Sequence, residues 1–96
     1  MTQKELLQVL SRFQQDKQDE FGIVRMGIFG SAAHGRMTEE SDVDVVVELS
    51  RPDLFALIGI KQELEELLQC PVDVLRYRET MNPFLKKRIE QDAIYV

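Results

Sequence analysis

The chain has 96 residues, is 44% hydrophobic and 30% charged, and carries a formal net charge of −5. This length fits a single domain over residues 1–96, without room for a second domain that grips a substrate. No apolar run approaches the ~20 residues of a membrane span or resembles a signal peptide, and the negative charge argues against direct nucleic-acid binding, so we expect a cytoplasmic protein with other partners.

The first predicted elements are a helix and a strand. A capping box at Thr2 and Glu5, followed by apolar residues at helical spacing, predicts an amphipathic helix over residues 3–18. Gly22 interrupts this pattern. The β-rich run over residues 23–29 then predicts the first strand, which leads directly into a Gly-Ser pair.

A second strand and helix follow. Residues 42–49 are rich in valine and predict a strand. Ser50 with Asp53 three residues later, and Pro52 in the first turn, predict the start of a helix with a buried leucine face. This helix should end near Gln69, because a proline follows two residues later.

The last part of the chain repeats this alternation. Residues 72–75 predict a third strand, and Asn82 before Pro83 predicts a capped helix that ends at about Asp92. Residues 94–96 should be extended. Strands alternating with helices place the chain in the α/β (α+β) class, as a small mixed sheet flanked by helices. The pattern does not determine the strand order.

Positive charge is concentrated at the C-terminal end. Residues 76–96 carry five Lys and Arg against three Asp and Glu, in contrast to the acidic remainder. The cationic residues of this segment are Arg76, Arg78, Lys86, Lys87 and Arg88. They could contact a triphosphate or an acidic partner, or they could form a solvated helix face.

Two aspartates dominate the predicted second strand. Asp42 and Asp44 are two residues apart, so both carboxylates should point to one face, roughly 6.6 Å apart, while Val43, Val45 and Val47 take the other. Adjacent like charges on a sheet do not stabilise a fold unless a cation neutralises them. Hard oxygen ligands of this kind suit Mg²⁺. The alternative is that Asp42 ends a loop and Asp44 lies at a solvated edge.

Asp73 is a third candidate ligand. It stands among apolar residues of the predicted third strand, where an unpaired buried carboxylate would be costly. If this strand is the neighbour of the second, Asp73 completes a triad that could bind two metal ions roughly 4 Å apart. Asp73 would then be a ligand of the second ion or the general base. The alternative is an exposed aspartate on an edge strand.

A small-residue loop separates the first two strands. Gly30 and Gly35 allow backbone N–H groups to approach phosphate oxygens closely, and Ser31 can add a hydroxyl hydrogen bond. The loop is not a P-loop, because Arg36 and Met37 follow the second glycine in place of Lys-Ser or Lys-Thr.

The combination of these motifs is more specific than any one of them. Gly30-Ser31, ten residues, and then Asp42-Val43-Asp44 reproduce the GS-x₁₀-D-x-D signature, and the chain resembles the minimal nucleotidyltransferases (MNT domains) of the polymerase-β-like superfamily over nearly its whole length. The matching positions are Gly30, Ser31, Gly35, Ser41, Asp42, Asp44 and Asp73. The resemblance implies that the Gly-Ser loop and Ser41 bind the triphosphate of ATP and that the three aspartates bind Mg²⁺, as two ions. His34 departs from the arginine that many members have before the second glycine.

The resemblance also implies a partner. MNT proteins of this length are commonly antitoxins of two-gene modules whose toxin is a helical HEPN ribonuclease, and some transfer AMP from ATP to a tyrosine of that toxin. We therefore expect a Mg²⁺-dependent protein adenylyltransferase that works in a hetero-oligomeric complex. The alternatives are an antitoxin that acts by binding alone and, with less support, a nucleotidyltransferase acting on a small molecule.

Overall fold

The computed structural model describes residues 1–35 and 42–96, which form three helices and one four-stranded sheet. In chain order the elements are α1 (Gln3–Phe21), β1 (Ile23–Phe29), β2 (Val43–Leu49), α2 (Leu54–Leu68), β3 (Val72–Arg76), α3 (Pro83–Asp92) and β4 (Ile94–Tyr95). Every predicted element is present. None of the helices in these residues is both long and apolar enough to cross a membrane.

The predicted capping box begins α1. The Thr2 hydroxyl accepts a hydrogen bond from the backbone N–H of Glu5 at 3.1 Å, and the Glu5 side chain accepts one from the backbone N–H of Thr2. The helix runs three residues past its predicted end, because Phe21 packs against Gly59 of α2. Gly22, with a φ of 68°, then ends the helix in the left-handed conformation.

The start of α2 differs from its prediction. Asp53 is the N-cap and accepts a hydrogen bond from the backbone N–H of Ala56 at 3.1 Å. Ser50 and Pro52 therefore precede the helix and do not belong to its first turn. The carboxylate of Asp53 accepts a hydrogen bond from a free N–H group at the helix start. Asp53 also lies nearer than Ser50 to the apolar run, so Asp53 is the N-cap. At the other end Gln69 caps α2, close to the predicted end.

Strand order is β3-β2-β1-β4, with β2 parallel to β3 and β1 antiparallel to both β2 and β4. Helix α2 makes the crossover between the two parallel strands. Because β2 and β3 run in the same direction, their amino ends meet at one edge of the sheet and their carboxyl ends meet at the opposite edge. This topology decides which side chains of the two strands become neighbours.

The two faces of the sheet are covered unequally. On one face, Val43, Val45 and Val47 are fully buried in a core that includes apolar residues of α1 and α2, as predicted. On the other face, Val46 is also fully buried, in a smaller core with Ile89 of α3. The face on which the aspartates were expected is therefore covered at its centre by this smaller core, and of the described β2 residues on this face only Asp44 and Glu48 at the two ends lie outside that core.

Candidate active site

Carboxylates gather where the amino ends of β2 and β3 meet. In the parallel register Asp44 lies directly opposite Asp73, so both side chains project from the same face of the sheet. Asp42 lies one residue before β2 and is exposed, whereas Asp44 is half-buried. The sequence left the strand order open; because β2 and β3 are neighbours, Asp73 does join the other two aspartates, as an exposed residue of the outer strand β3. The assignment of Asp42 to the strand itself is wrong by one residue.

The three aspartates interact without a compensating cation. Burial raises the pKa of Asp44, and the nearby carboxylates of Asp73 and Asp42 raise it further. Within residues 1–35 and 42–96, none of the three makes an ion pair. The ionised form of Asp44 is therefore disfavoured unless a cation binds beside it.

The three aspartate carboxylates suit a metal ion that is also coordinated by a bound phosphate ligand. Among the residues that the structure describes, no group of three or more His, Cys, Asp or Glu side chains is arranged to hold a metal ion by itself. Mg²⁺ usually takes only one or two carboxylates and completes its octahedron with waters and phosphate oxygens. Asp44 and Asp73, with Asp42 beside them, match this chemistry in type and charge, whereas the described side chains do not form a complete metal cage.

Gly30 brings the Gly-Ser loop against the acidic pair. It follows Phe29, which lies opposite Asp44 in the antiparallel register of β1 and β2. Its φ is 67°, and a Cβ atom added to it would lie 2.5 Å from Asp44 Oδ2. Glycine is thus required twice, for the left-handed backbone and for the approach of the carboxylate. The predicted phosphate loop and the predicted metal ligands are in direct contact.

Backbone hydrogen bonds between residues three or four apart close the loop into a turn. The N–H of His34 donates to the carbonyl of Gly30 at 3.3 Å, and the N–H of Gly35 donates to the carbonyl of Ala32 at 3.3 Å. Ala32 is fully buried and anchors the turn, while Ser31 is half-buried beside Gly30. Ser41, which was also expected to bind the nucleotide, lies outside the described residues.

Two side chains hold the loop from elsewhere in the chain. Gln3 Nε2 donates to the carbonyl oxygens of Ala32 and Ala33, both at 3.0 Å. His34 Nε2 lies 3.5 Å from Asp92 Oδ2 at the end of α3. Sequence reasoning missed both supports. No local signal could reveal them, because each partner lies at least 29 residues from the loop residue it contacts.

The start of β3 is also fixed from outside the strand. Glu65 Oε2 accepts a hydrogen bond from the N–H of Val72 at 3.1 Å, and Lys61 Nζ donates to the Val72 carbonyl at 2.6 Å. Both side chains come from the last turns of α2. They hold the residue before Asp73, so the crossover helix sets the position of the third carboxylate.

Comparison with known proteins decides the family. A family model described as a nucleotidyltransferase domain matches residues 6–96. The chain belongs to this nucleotidyltransferase family. A candidate protein adenylyltransferase of Methanocaldococcus jannaschii is 32% identical over 96 residues, which is 99% of this chain and 98% of that protein. The enzyme class expected from the signature is confirmed.

Solved structures of nucleotidyltransferases share the fold. A candidate minimal nucleotidyltransferase superposes with a TM-score of 0.80 at 28% identity, covering 98% of this chain and 95% of that one. A chain in the complex of a tri-AMPylated Shewanella oneidensis HEPN toxin with an MNT antitoxin superposes with a TM-score of 0.58 at 18% identity, covering 88% of this chain and 69% of that one. The expected α/β fold of the minimal nucleotidyltransferases is confirmed.

Proposed function

We propose that this nucleotidyltransferase is a cytoplasmic antitoxin that transfers AMP from ATP to a tyrosine of a HEPN toxin within a hetero-oligomeric complex. The contact between Gly30 and Asp44 carries the proposal, because it joins a phosphate-binding loop to an uncompensated acidic pair. The protein acceptor is supported by the Methanocaldococcus relative, whose name is protein adenylyltransferase. The HEPN partner is supported by the fold shared with an MNT antitoxin in complex with its tri-AMPylated toxin.

Each residue of the site has a role in this proposal. Backbone N–H groups at the start of the Gly-Ser loop and the Ser31 hydroxyl hold the triphosphate, and Ser41 contributes a further contact. The N–H groups of His34 and Gly35 instead hold the turn together. Asp42, Asp44 and Asp73 hold Mg²⁺, proposed as two ions. When bound, Mg²⁺ screens the charge of the triphosphate and lowers the pKa of the attacking hydroxyl.

The reaction itself is a displacement at phosphorus. The tyrosine oxygen forms a bond to the α-phosphorus of ATP, the bond to the β-phosphate oxygen breaks, and pyrophosphate leaves. Asp73 is exposed and therefore lies where the acceptor hydroxyl can enter, as the residue that accepts its proton or completes the metal ligands. Positioning and charge neutralisation supply most of the catalysis in such a transfer.

Intact-mass measurement of the toxin tests this proposal. We expect a candidate HEPN partner from the same source, co-expressed with this chain, to gain the mass of one or more AMP groups. Asp42→Asn/Asp44→Asn should abolish this gain, because the site then loses two of its three anionic ligands. Asp16→Asn/Asp19→Asn on the exposed surface of α1 makes the same change in charge and should keep the gain.

Other outcomes separate the alternatives. A toxin that is neutralised without any gain in mass, by the original chain and by Asp42→Asn/Asp44→Asn alike, would establish an antitoxin that acts by binding alone. An unmodified toxin that also remains active would leave a small molecule as the acceptor. A gain in mass that survives Asp42→Asn/Asp44→Asn would show that these aspartates do not serve the reaction.

A further inference from the structure

A second polar site lies at the end of the sheet remote from the aspartates. A pocket of about 240 Å³ opens where β2 and β3 end, and three of its lining residues are Arg51, Arg76 and Arg78. On β2, its lining residue Glu48 lies four residues beyond Asp44, which is roughly 13 Å along a strand. The pocket is therefore separate from the proposed nucleotide site.

The carboxylates of this pocket are already neutralised. Glu48 Oε1 pairs with Arg25 Nε at 2.8 Å, and Glu79 Oε2 pairs with Lys86 Nζ at 2.6 Å. Neither of these two cations lines the pocket. Among residues 1–35 and 42–96, the three pocket arginines make no ion pair. The pocket thus has an excess of positive charge in a chain whose net charge is −5.

Exposed aromatic side chains stand at the same end of the molecule. Pro52, which lines the pocket, lies two residues before α2. Glu79, which also lines it, pairs with Lys86 in the first turn of α3, so both helices begin beside the pocket. Phe55 in α2 and Phe84 in α3 are each 83% exposed, and Leu54 is 69% exposed. Arginine and aromatic residues are enriched in the energetic centres of protein interfaces, and exposed apolar patches mark binding surfaces.

We propose that Arg51, Arg76, Arg78, Phe55 and Phe84 form a docking surface for an acidic face of the protein that accepts the nucleotide. This inference rests on the proposed function, since it assumes a protein acceptor. The planar guanidinium groups of the arginines can each bind a carboxylate through two parallel hydrogen bonds. The phenylalanines would enter apolar recesses beside those carboxylates.

Charge complementarity favours an acidic protein over a nucleic acid. Binding to a phosphate backbone gains affinity from each phosphate that a cation neutralises, and a chain of net charge −5 repels the remaining phosphates. An acidic protein face needs only a few matched carboxylates, which three arginines can supply. The docking surface would hold the acceptor protein about 13 Å from Asp44, measured along β2 from Glu48.

Because the docking surface is separate from the nucleotide site, substitutions there should change the KM for the acceptor protein and leave kcat unchanged. Loss of docking should raise the KM for the acceptor protein while kcat and the affinity for ATP stay unchanged. The pocket lies about 13 Å from Asp44 along β2, and neither the three aspartates nor the described residues of the Gly-Ser loop line it. We expect Arg51→Glu/Arg78→Glu to weaken binding of the candidate HEPN partner at least tenfold by isothermal titration calorimetry. Lys4→Glu/Arg12→Glu on α1 makes the same change in charge and should leave that affinity within twofold.

Photo-crosslinking identifies what covers the surface. We expect p-benzoylphenylalanine in place of Phe55 or Phe84 to crosslink to the HEPN partner. The same probe in place of Leu67, which is 58% exposed near the other end of α2, should not. Crosslinks to a second copy of this chain or to RNA would overturn the proposal, as would an unchanged affinity for Arg51→Glu/Arg78→Glu.

The two proposals fail in different ways. If the partner binds and crosslinks but never gains mass, docking stands and nucleotide transfer is wrong. If the partner gains mass and Arg51→Glu/Arg78→Glu leaves its KM unchanged, transfer stands and the docking surface is wrong.

Discussion

The two ends of β2 carry charge in opposite ways on the same face of the sheet. At one end Asp44 lies opposite Asp73, a like charge, and the described residues supply no cation. At the other end Glu48 lies opposite Arg25, which pairs with it at 2.8 Å. The guanidinium of Arg25 also lies 5.0 Å from the ring centre of Tyr77 and 4.3 Å from that of Tyr95.

The paired charges of Glu48 and Arg25 stabilise the fold, whereas the unpaired charges of Asp44 and Asp73 suit the binding of a cationic ligand. Opposite charges across a strand pair stabilise a sheet, and like charges destabilise it. Among the strand pairings that the structure describes, only Asp44 and Asp73 place like charges opposite each other, and a cation with a triphosphate would relieve this repulsion. Substitutions at the aspartate end should therefore change activity, whereas substitutions at Arg25 should change stability and leave activity unchanged.

The largest effect on stability and activity should come from adding a methyl group to Gly30, where it meets the carboxylate of Asp44. Gly30→Ala places a methyl group 2.5 Å from Asp44 Oδ2 and forces alanine into a φ of 67°. We expect a loss of about 2–3 kcal/mol in the free energy of unfolding, with left-handed alanine alone costing about 1–2 kcal/mol. The transfer rate should fall at least tenfold, because the Asp44 carboxylate must move. Urea unfolding and the rate of AMP transfer measure the two effects.

Gly35→Ala is the matched control for this prediction. Gly35 has a φ of 68°, but a Cβ added there meets no atom of residues 1–35 and 42–96 within 4 Å. We expect only the backbone cost, about 1–2 kcal/mol, with the transfer rate within a few-fold of the original. Equal losses of activity in the two variants would show that the contact with Asp44 does not matter.

Removing the cation at the other end should act on stability alone. Arg25→Met keeps much of the volume between Tyr77 and Tyr95 but leaves Glu48 without its partner. We expect a loss of about 1–2 kcal/mol in the free energy of unfolding, from a partly exposed ion pair and two cation–π contacts. Combining Arg25→Met with Glu48→Gln should recover part of this loss. Arg12→Met on the exposed face of α1 should change the free energy by less than about 0.5 kcal/mol.

The smallest expected effect is a gain in the free energy of unfolding, in contrast to the losses above. Asp44→Asn removes the repulsion from Asp73 and Asp42, so in buffer without divalent cations we expect the free energy of unfolding to rise by up to about 1 kcal/mol. The pKa of Asp44 is raised in the folded state, so its ionisation destabilises the fold at neutral pH. The gain should therefore shrink as the pH falls through the raised pKa of folded Asp44 and be largely gone below the ordinary aspartate pKa of 3.8.

Thermal unfolding between pH 3 and pH 7 checks this last prediction. The midpoint of Asp44→Asn should exceed that of the original chain at pH 7 and converge with it at pH 3. Asp16→Asn, which removes an exposed carboxylate from α1, controls for the change in net charge. A lower midpoint for Asp44→Asn at neutral pH would mean that the carboxylate is stabilised by a partner in the fold.

Local patterns were sufficient for most of the secondary structure. The capping residues Thr2 and Asn82 and the positions of Gly22 and Gln69 followed from rules that act within one helical turn. The start of α2 was misplaced because two acceptors, Ser50 and Asp53, competed for one cap. Such competition is decided by the backbone geometry of the turn, which the residue pattern does not contain.

Only part of the candidate site could be predicted from the sequence. Spacing alone placed Gly30-Ser31 before Asp42 with ten residues between them, and the alternation of β2 separated Asp44 from Val43, Val45 and Val47. That Asp73 joins Asp44 depended on strand order, which hydrophobic periodicity does not encode. The contact of Gly30 with Asp44 depended on the register of β1 against β2.

By itself, the sequence determined the elements, the α/β class, the family signature and the residues of the acidic pair, because these depend on local propensity and short spacing. Only the tertiary structure decided that Asp73 faces Asp44, that Gln3 supports the loop, and that Arg51 joins Arg76 in one pocket. Each of these contacts joins residues far apart in the chain. Such neighbours are set by strand order and register, which arise from packing the whole domain at once.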